Sequence, residues 1–290
     1  MHARPLVNAA HFAMRVLVGA AMLLTATPAL AAIAARPSPG CNNATIETGR
    51  QLQRTLDVDG TARAYILDVP EGIKSKDPVP LLFDFHGFGH SAAGVWTVSQ
   101  FKDLATRARF ITVYPDGLPV SLLGREAPGW QIFTTETNRD LLFTGRLLDH
   151  LERSYCIDMN RVFATGFSNG AFFSNLLGCA MSDRFAAVAP VSGGRITVAC
   201  TPRRGVPVLI QHGRQDPLIP IEQARQERDA WVQNNGCREH TSNGCELYRV
   251  CRDAAVVEYC EEDYDHHWPP QATARVWEFF QAHPMPANQK

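Results

Sequence analysis

The chain has 290 residues, 45% of them hydrophobic and 20% charged, with a formal net charge of −1. That balance suits a large buried core. It supplies no strong field of one sign, so a nucleic-acid partner is excluded on electrostatic grounds.

In chain order, the first feature is an export signal. Met14-Arg15 precedes the apolar run 16–24, and Ala29-Leu30-Ala31 puts small residues where a signal peptidase reads them. Cleavage is expected after Ala31, with residues 1–31 as the signal peptide and Met14 as an alternative start. The apolar run is too short and too rich in Ala and Thr for a spanning helix. A secreted protein, extracellular or periplasmic, with no stable membrane association is therefore expected. Residues 32–59 read as an N-terminal lead, its first part flexible, and 60–285 as one α/β domain that carries the chemistry.

Short β-rich runs follow at 64–69 and 80–85. The second, Pro80-Leu81-Leu82-Phe83-Asp84-Phe85, is almost continuously apolar, as in a strand covered on both faces. It opens into His86-Gly87-Phe88-Gly89. Another strand is predicted at 110–114, then a helix at 141–154 with Leu142, Leu147, Leu148 and Leu151 at helical spacing. A strand at 161–165 ends in Gly166-Phe167-Ser168-Asn169-Gly170, and a helix over 169–179 follows. Strands at 187–191 and 206–211 come next. A helix at 221–234 starts after Pro220, a good first-turn residue, and stops before Gly236. A strand at 254–259 and a helix at 273–283 close the chain. Strands alternating with helices predict a mostly parallel sheet with helices on both faces. Ligands in such sheets bind at the carboxyl ends of the strands.

The candidate chemistry falls at those ends. A serine on a tight turn between strand and helix exposes its Oγ, and small flanking residues avoid a clash there. Gly-Phe-Ser-Asn-Gly in that context implies acyl transfer with Ser168 as nucleophile. The acid that orients the base should follow the serine, and the base should come last. Asp216, in the loop after the 206–211 strand, is the acid candidate. His266 is the base candidate, with its neighbour His267 in reserve. The oxyanion donors are assigned to the backbone N–H groups of Phe88 and Asn169, and His86 to bracing that loop. Trp130 and Trp268 flank the predicted site as candidate substrate-stacking residues.

All eight cysteines lie beyond the cleavage point, and an even number in an exported chain predicts disulfides. Cys179 with Cys200 is the favoured bridge. The four from Cys237 to Cys260 are expected to pair among themselves around one excursion near the active site. No cysteine stands at zinc-like spacing, so no metal is expected. Asn43-Ala44-Thr45 is a glycosylation sequon, relevant only in a eukaryotic host.

His86-Gly87-Phe88-Gly89, Gly166-Phe167-Ser168-Asn169-Gly170, His212-Gly213-x-x-Asp216 and His266-x-Trp268-Pro269 occur in that order. With Tyr155-Cys156-Ile157-Asp158 and Arg161-Val162-Phe163, they resemble the secreted feruloyl esterase and polyhydroxybutyrate depolymerase esterase family over roughly residues 60 to 280. The resemblance implies an α/β-hydrolase fold, no metal or organic cofactor, and the triad Ser168, Asp216 and His266. Ala171 and Tyr264-Asp265 stand where the family often has glycines. The expected activity is that of a secreted serine carboxylic ester hydrolase, with feruloyl esters of plant cell-wall polysaccharide as the favoured substrate. Polyhydroxybutyrate or its oligomers rank second and acetylated xylan third. A monomer acting on an ester substrate is expected. Two rivals stay open: a serine peptidase on the same fold, and a non-catalytic binding protein on a hydrolase scaffold.

Overall fold

The computed structural model describes residues 1–2, 33–122 and 124–286. Residues 3–31 of the proposed signal peptide, and its cleavage site, lie outside the described residues. In chain order the elements are β1 (Gly49–Val58), β2 (Thr61–Val69), β3 (Val79–Phe85), α1 (Ala92–Ser99), α2 (Phe101–Ala108), β4 (Ile111–Pro115), β5 (Pro119–Leu122), β6 (Arg125–Pro128), α3 (Arg139–Ser154), β7 (Ile157–Phe167), α4 (Asn169–Ala180), β8 (Ala187–Val191), β9 (Val208–Gly213), α5 (Ile221–Asn235), β10 (Glu239–Asn243), β11 (Cys245–Arg249), β12 (Val257–Glu262) and α6 (Ala272–Ala282).

Ten strands form one sheet in the order β1-β2-β4-β3-β7-β8-β9-β12-β11-β10. Its centre, from β4 to β12, is parallel, and antiparallel pairs extend both edges. Every residue of β3, β8 and β9 is buried, which explains their continuous apolar runs. Alternate side chains feed two cores. Phe83 and Phe85 join Phe143, Leu147, Phe173 and Trp231 on the α3–α4–α5 face, while Leu82 joins Phe101, Phe163, Trp277 and Phe280 on the α2–α6 face. Helix ends follow local rules. The Asn138 side chain accepts from the Asp140 and Leu141 amides to cap α3, and Gly236 takes the left-handed conformation after α5.

The stretch 33–59 differs from the expected lead. Pro37 bridges to Asp158, Ser38 Oγ donates to Tyr155 O at 2.8 Å, and Cys41 is bonded to Cys156. Strand β1 then pairs with β2 along the sheet edge. The described residues from Ile33 onward thus belong to one compact unit. As an edge strand, β1 buries little. Its sequence Gly-Arg-Gln-Leu-Gln-Arg-Thr-Leu-Asp-Val holds only three apolar residues, so its strand signal was weak.

Three further bridges are Cys179–Cys200, Cys237–Cys251 and Cys245–Cys260. The last two staple the β10–β11 hairpin, which extends the sheet beyond β12. Four disulfides mark a chain that matures in an oxidising compartment.

Candidate active site

The carboxyl ends of β3, β7, β8, β9 and β12 share one rim, because these strands run parallel. Ser168 leaves β7 with φ 55° and ψ −118°, a region that L-residues rarely occupy. Its N–H donates to Val191 O at 3.1 Å, and its carbonyl accepts from Ala171 and Phe172 to start α4. The turn needs its glycines. A Cβ on Gly170 would collide with the Phe85 carbonyl, and one on Gly166 with the Gly170 carbonyl. Strand β3 and the start of α4 therefore touch backbone to backbone.

Asp216 follows β9 by three residues. Its Oδ1 accepts the Leu218 and Ile219 amides at 2.9 Å each, and its Oδ2 accepts His266 Nδ1 at 2.7 Å. The carboxylate is fully buried, and the imidazole is 12% exposed. With the Nδ1 proton committed to Asp216, Nε2 keeps its lone pair. The His266 ring lies on Phe167, the residue before Ser168, with centroids 4.8 Å apart. The same rim thus holds serine, imidazole and carboxylate. Among the described residues the Ser168 hydroxyl makes no side-chain hydrogen bond to the ring. Such contacts are commonly long in free enzymes and tighten with substrate.

His267 turns away. Its Nδ1 pairs with Asp265, and its side chain is 49% exposed. The acidic neighbour thus acts on His267, not on His266.

The loop after β3 closes the other side. A Cβ on Gly87 would stand 3.4 Å from Ser168 Cβ, so the loop that carries Phe88 runs beside the serine at Gly87. The Asn169 amide opens α4, where backbone N–H groups have no intrahelical partner. His86 is buried, with Nδ1 donating to Gly87 O at 2.7 Å and Nε2 accepting from the Gly117 amide at 2.9 Å. Burial pushes its pKa down, so it stays neutral.

No family model matches the chain. Curated proteins do. It is 30% identical to "Feruloyl esterase D" of Neurospora crassa, over 89% of this chain and 94% of that protein. It is 32% identical to "Probable feruloyl esterase C" of Aspergillus terreus, over 80% and 89%. The chain belongs to the feruloyl esterase family. Among solved structures, the acetyl xylan esterase from Aspergillus awamori superposes with a TM-score of 0.63 at 16% identity, covering 79% of this chain and 98% of that one. A ferulic acid esterase gives 0.58 at 17%, covering 81% and 98%. These place the esterase in the α/β-hydrolase fold, and the mostly parallel sheet above agrees.

Both candidate stacking tryptophans need correction. In this esterase Trp130 is fully buried, packed against Phe85 and Phe173. Its Nε1–H donates to His86 O at 2.8 Å, and its amide donates to Asn169 Oδ1 at 2.7 Å. It ties the loop after β3 to the start of α4 and offers no face to a substrate. Trp268 is 8% exposed, edge-on to Phe101, with its Nε1–H on Thr273. It packs the His266 loop onto α6.

Two further supports brace these loops: one had no local signature, and the other, His212, stood in a motif without an assigned role. Arg63 and Asp140 form a buried ion pair at 2.7 Å, and Asp140 Oδ2 also accepts the Gln131 amide at 2.9 Å. The pair, 77 residues apart in sequence, holds the segment that carries Trp130. His212 Nε2 donates to Ile219 O at 2.9 Å and lies 3.5 Å from Asp216 Oδ2, closing the acid loop. Burial keeps this ring neutral too. Cys245, Glu258 and Cys260 bring three potential metal-ligand atoms within 4.8 Å, but both sulfurs are spent in one disulfide.

Proposed function

We propose that this member of the feruloyl esterase family is a secreted serine esterase that cleaves feruloyl esters of plant cell-wall polysaccharide. In this reading Ser168 Oγ attacks the ester carbonyl while His266 Nε2 takes its proton. Asp216 holds the imidazole tautomer and stabilises the imidazolium. The amides of Phe88 and Asn169 receive the oxyanion, and His266 returns the proton to the leaving alcohol. Water, activated by the same imidazole, then releases the acid from Ser168. The reading treats the enzyme as a monomer with no nucleic-acid or membrane partner.

The observation that carries it is the 2.7 Å bond from His266 to a buried Asp216, at the rim where the strained Ser168 turn emerges. The substrate class rests on the family. Ser168→Ala should keep the wild-type circular dichroism spectrum and melting temperature while losing methyl ferulate turnover by roughly four to six orders of magnitude. Turnover near wild type would assign the nucleophile elsewhere. A panel of methyl ferulate, hydroxybutyrate oligomers and acetylated xylan tests the substrate class. A preference for either of the last two overturns it and leaves the mechanism standing.

A further inference from the structure

Away from the triad, helices α4 and α5 and the segment 195–200 enclose a cavity of about 170 Å³. Its walls mix hydrogen-bonding side chains, Glu227, Arg195, Asn175, Gln233 and Asn234, with apolar ones and the indole of Trp231. Glu227 is 1% exposed, and neither of its carboxyl oxygens has a protein donor. A buried acid without donors is costly, and an apolar side chain would pack α5 against α4 at less expense. Nothing in the triad or the oxyanion loop uses it. The wall itself is fixed. Trp231 Nε1 donates to Asn175 Oδ1, Asn175 Nδ2 donates to Gly194 O at 3.3 Å, and the Cys179–Cys200 disulfide borders the far side. Arg195 is exposed at the mouth, its amide on Gln223 O at 3.3 Å.

A carboxyl with two unoccupied oxygens suits a pair of adjacent hydroxyls. A guanidinium and carboxamides donate to hydroxyl and ring oxygens, and an indole supplies apolar contact. The space matches one pentose or hexose ring. We propose that this cavity binds a single sugar ring through vicinal hydroxyls, with Glu227 as their acceptor, separately from the ester-cleaving site. Burial holds the Glu227 carboxyl well above the usual carboxylate range. Hydroxyl donors favour its ionised form and so act against that shift.

The test is calorimetric titration of the disulfide-bonded protein with D-xylose, L-arabinose and D-glucose, with sodium butyrate as a carboxylate control. Wild type should bind at least one of the sugars saturably in the millimolar range. Glu227→Gln should weaken that binding by about tenfold or more, and Arg195→Ala should weaken it as well. Prior labelling of Ser168 with a serine-reactive phosphonate should change nothing. Arg195→Ala alters an exposed side chain and keeps the test decisive if Glu227→Gln melts early. No saturable heat up to about 100 mM sugar overturns the proposal, as does equal affinity in the variants. Binding of butyrate but not sugars, or loss on phosphonate labelling, overturns it too. The esterase reading fails separately, by retained turnover in Ser168→Ala.

Discussion

Replacing Asp84 by Asn should flatten the alkaline side of the stability profile. Asp84 is the penultimate residue of β3, fully buried, with no protein donor on either carboxyl oxygen. Burial pushes its pKa from the ordinary 3.8 up to about 8. In the unfolded chain it ionises near 3.8, whereas in the fold it keeps its proton until about pH 8. The unfolded state therefore sheds the proton first as pH rises. The stability tied to this group is fully present below about pH 4 and is lost progressively up to about pH 8. Each pH unit costs about 1.4 kcal/mol, on the order of 6 kcal/mol over the window. For a domain of this size that is about 3–5 °C of melting temperature per unit. Melting curves of wild type and Asp84→Asn, taken every half unit from pH 5 to 8, should diverge steadily, with the variant gaining on wild type toward pH 8. Whatever the carboxamide costs in the core is independent of pH and shifts the variant curve without tilting it. Parallel curves would refute the claim that Asp84 is held neutral by burial.

The paired histidines give a second test: His266→Ala should cut methyl ferulate kcat by roughly four to six orders of magnitude, while His267→Ala stays within a few-fold. The reverse result reassigns the base. Gly170→Ala should lower soluble yield and melting temperature, with a loss of at least about 1–3 kcal/mol, because its Cβ meets the Phe85 backbone. An unchanged melt would mean that the elbow can relax. Trp130→Phe deletes the donor to His86 O and should cost about 1–3 kcal/mol. Its kinetic mark should be a fall in kcat with KM nearly unchanged. A raised KM at constant kcat would instead return Trp130 to substrate contact.

Much of this arrangement was legible because its signals are local. The apolar run of β3 and the Gly-Phe-Ser-Asn-Gly turn each announce themselves within a few residues. Asp216 and His266 could be picked because the loops after β9 and β12 must end at the serine's rim. What the chain hid was tertiary. Trp130 lies in a Gly-rich loop that looks exposed, and only the packing of Phe85 and Phe173 around it reveals a buried brace. Strand β1 carries a weak apolar signal because it is an edge strand whose inward positions are mostly only half-buried, so that Arg54 can occupy one of them. Arg63 and Asp140 are ordinary surface residue types until the fold buries them together. Glu227 reads as one more charged position on a polar helix, Ile221–Asn235, and only its depth distinguishes it.

The bridge between Cys41 and Cys156 spans 115 residues. Closing a loop of that length removes disorder from the denatured chain worth roughly 5 kcal/mol, a large share of what keeps a typical domain intact. A polypeptide held among reducing thiols forgoes that contribution, so the scaffold reaches its full rigidity only in an oxidising compartment.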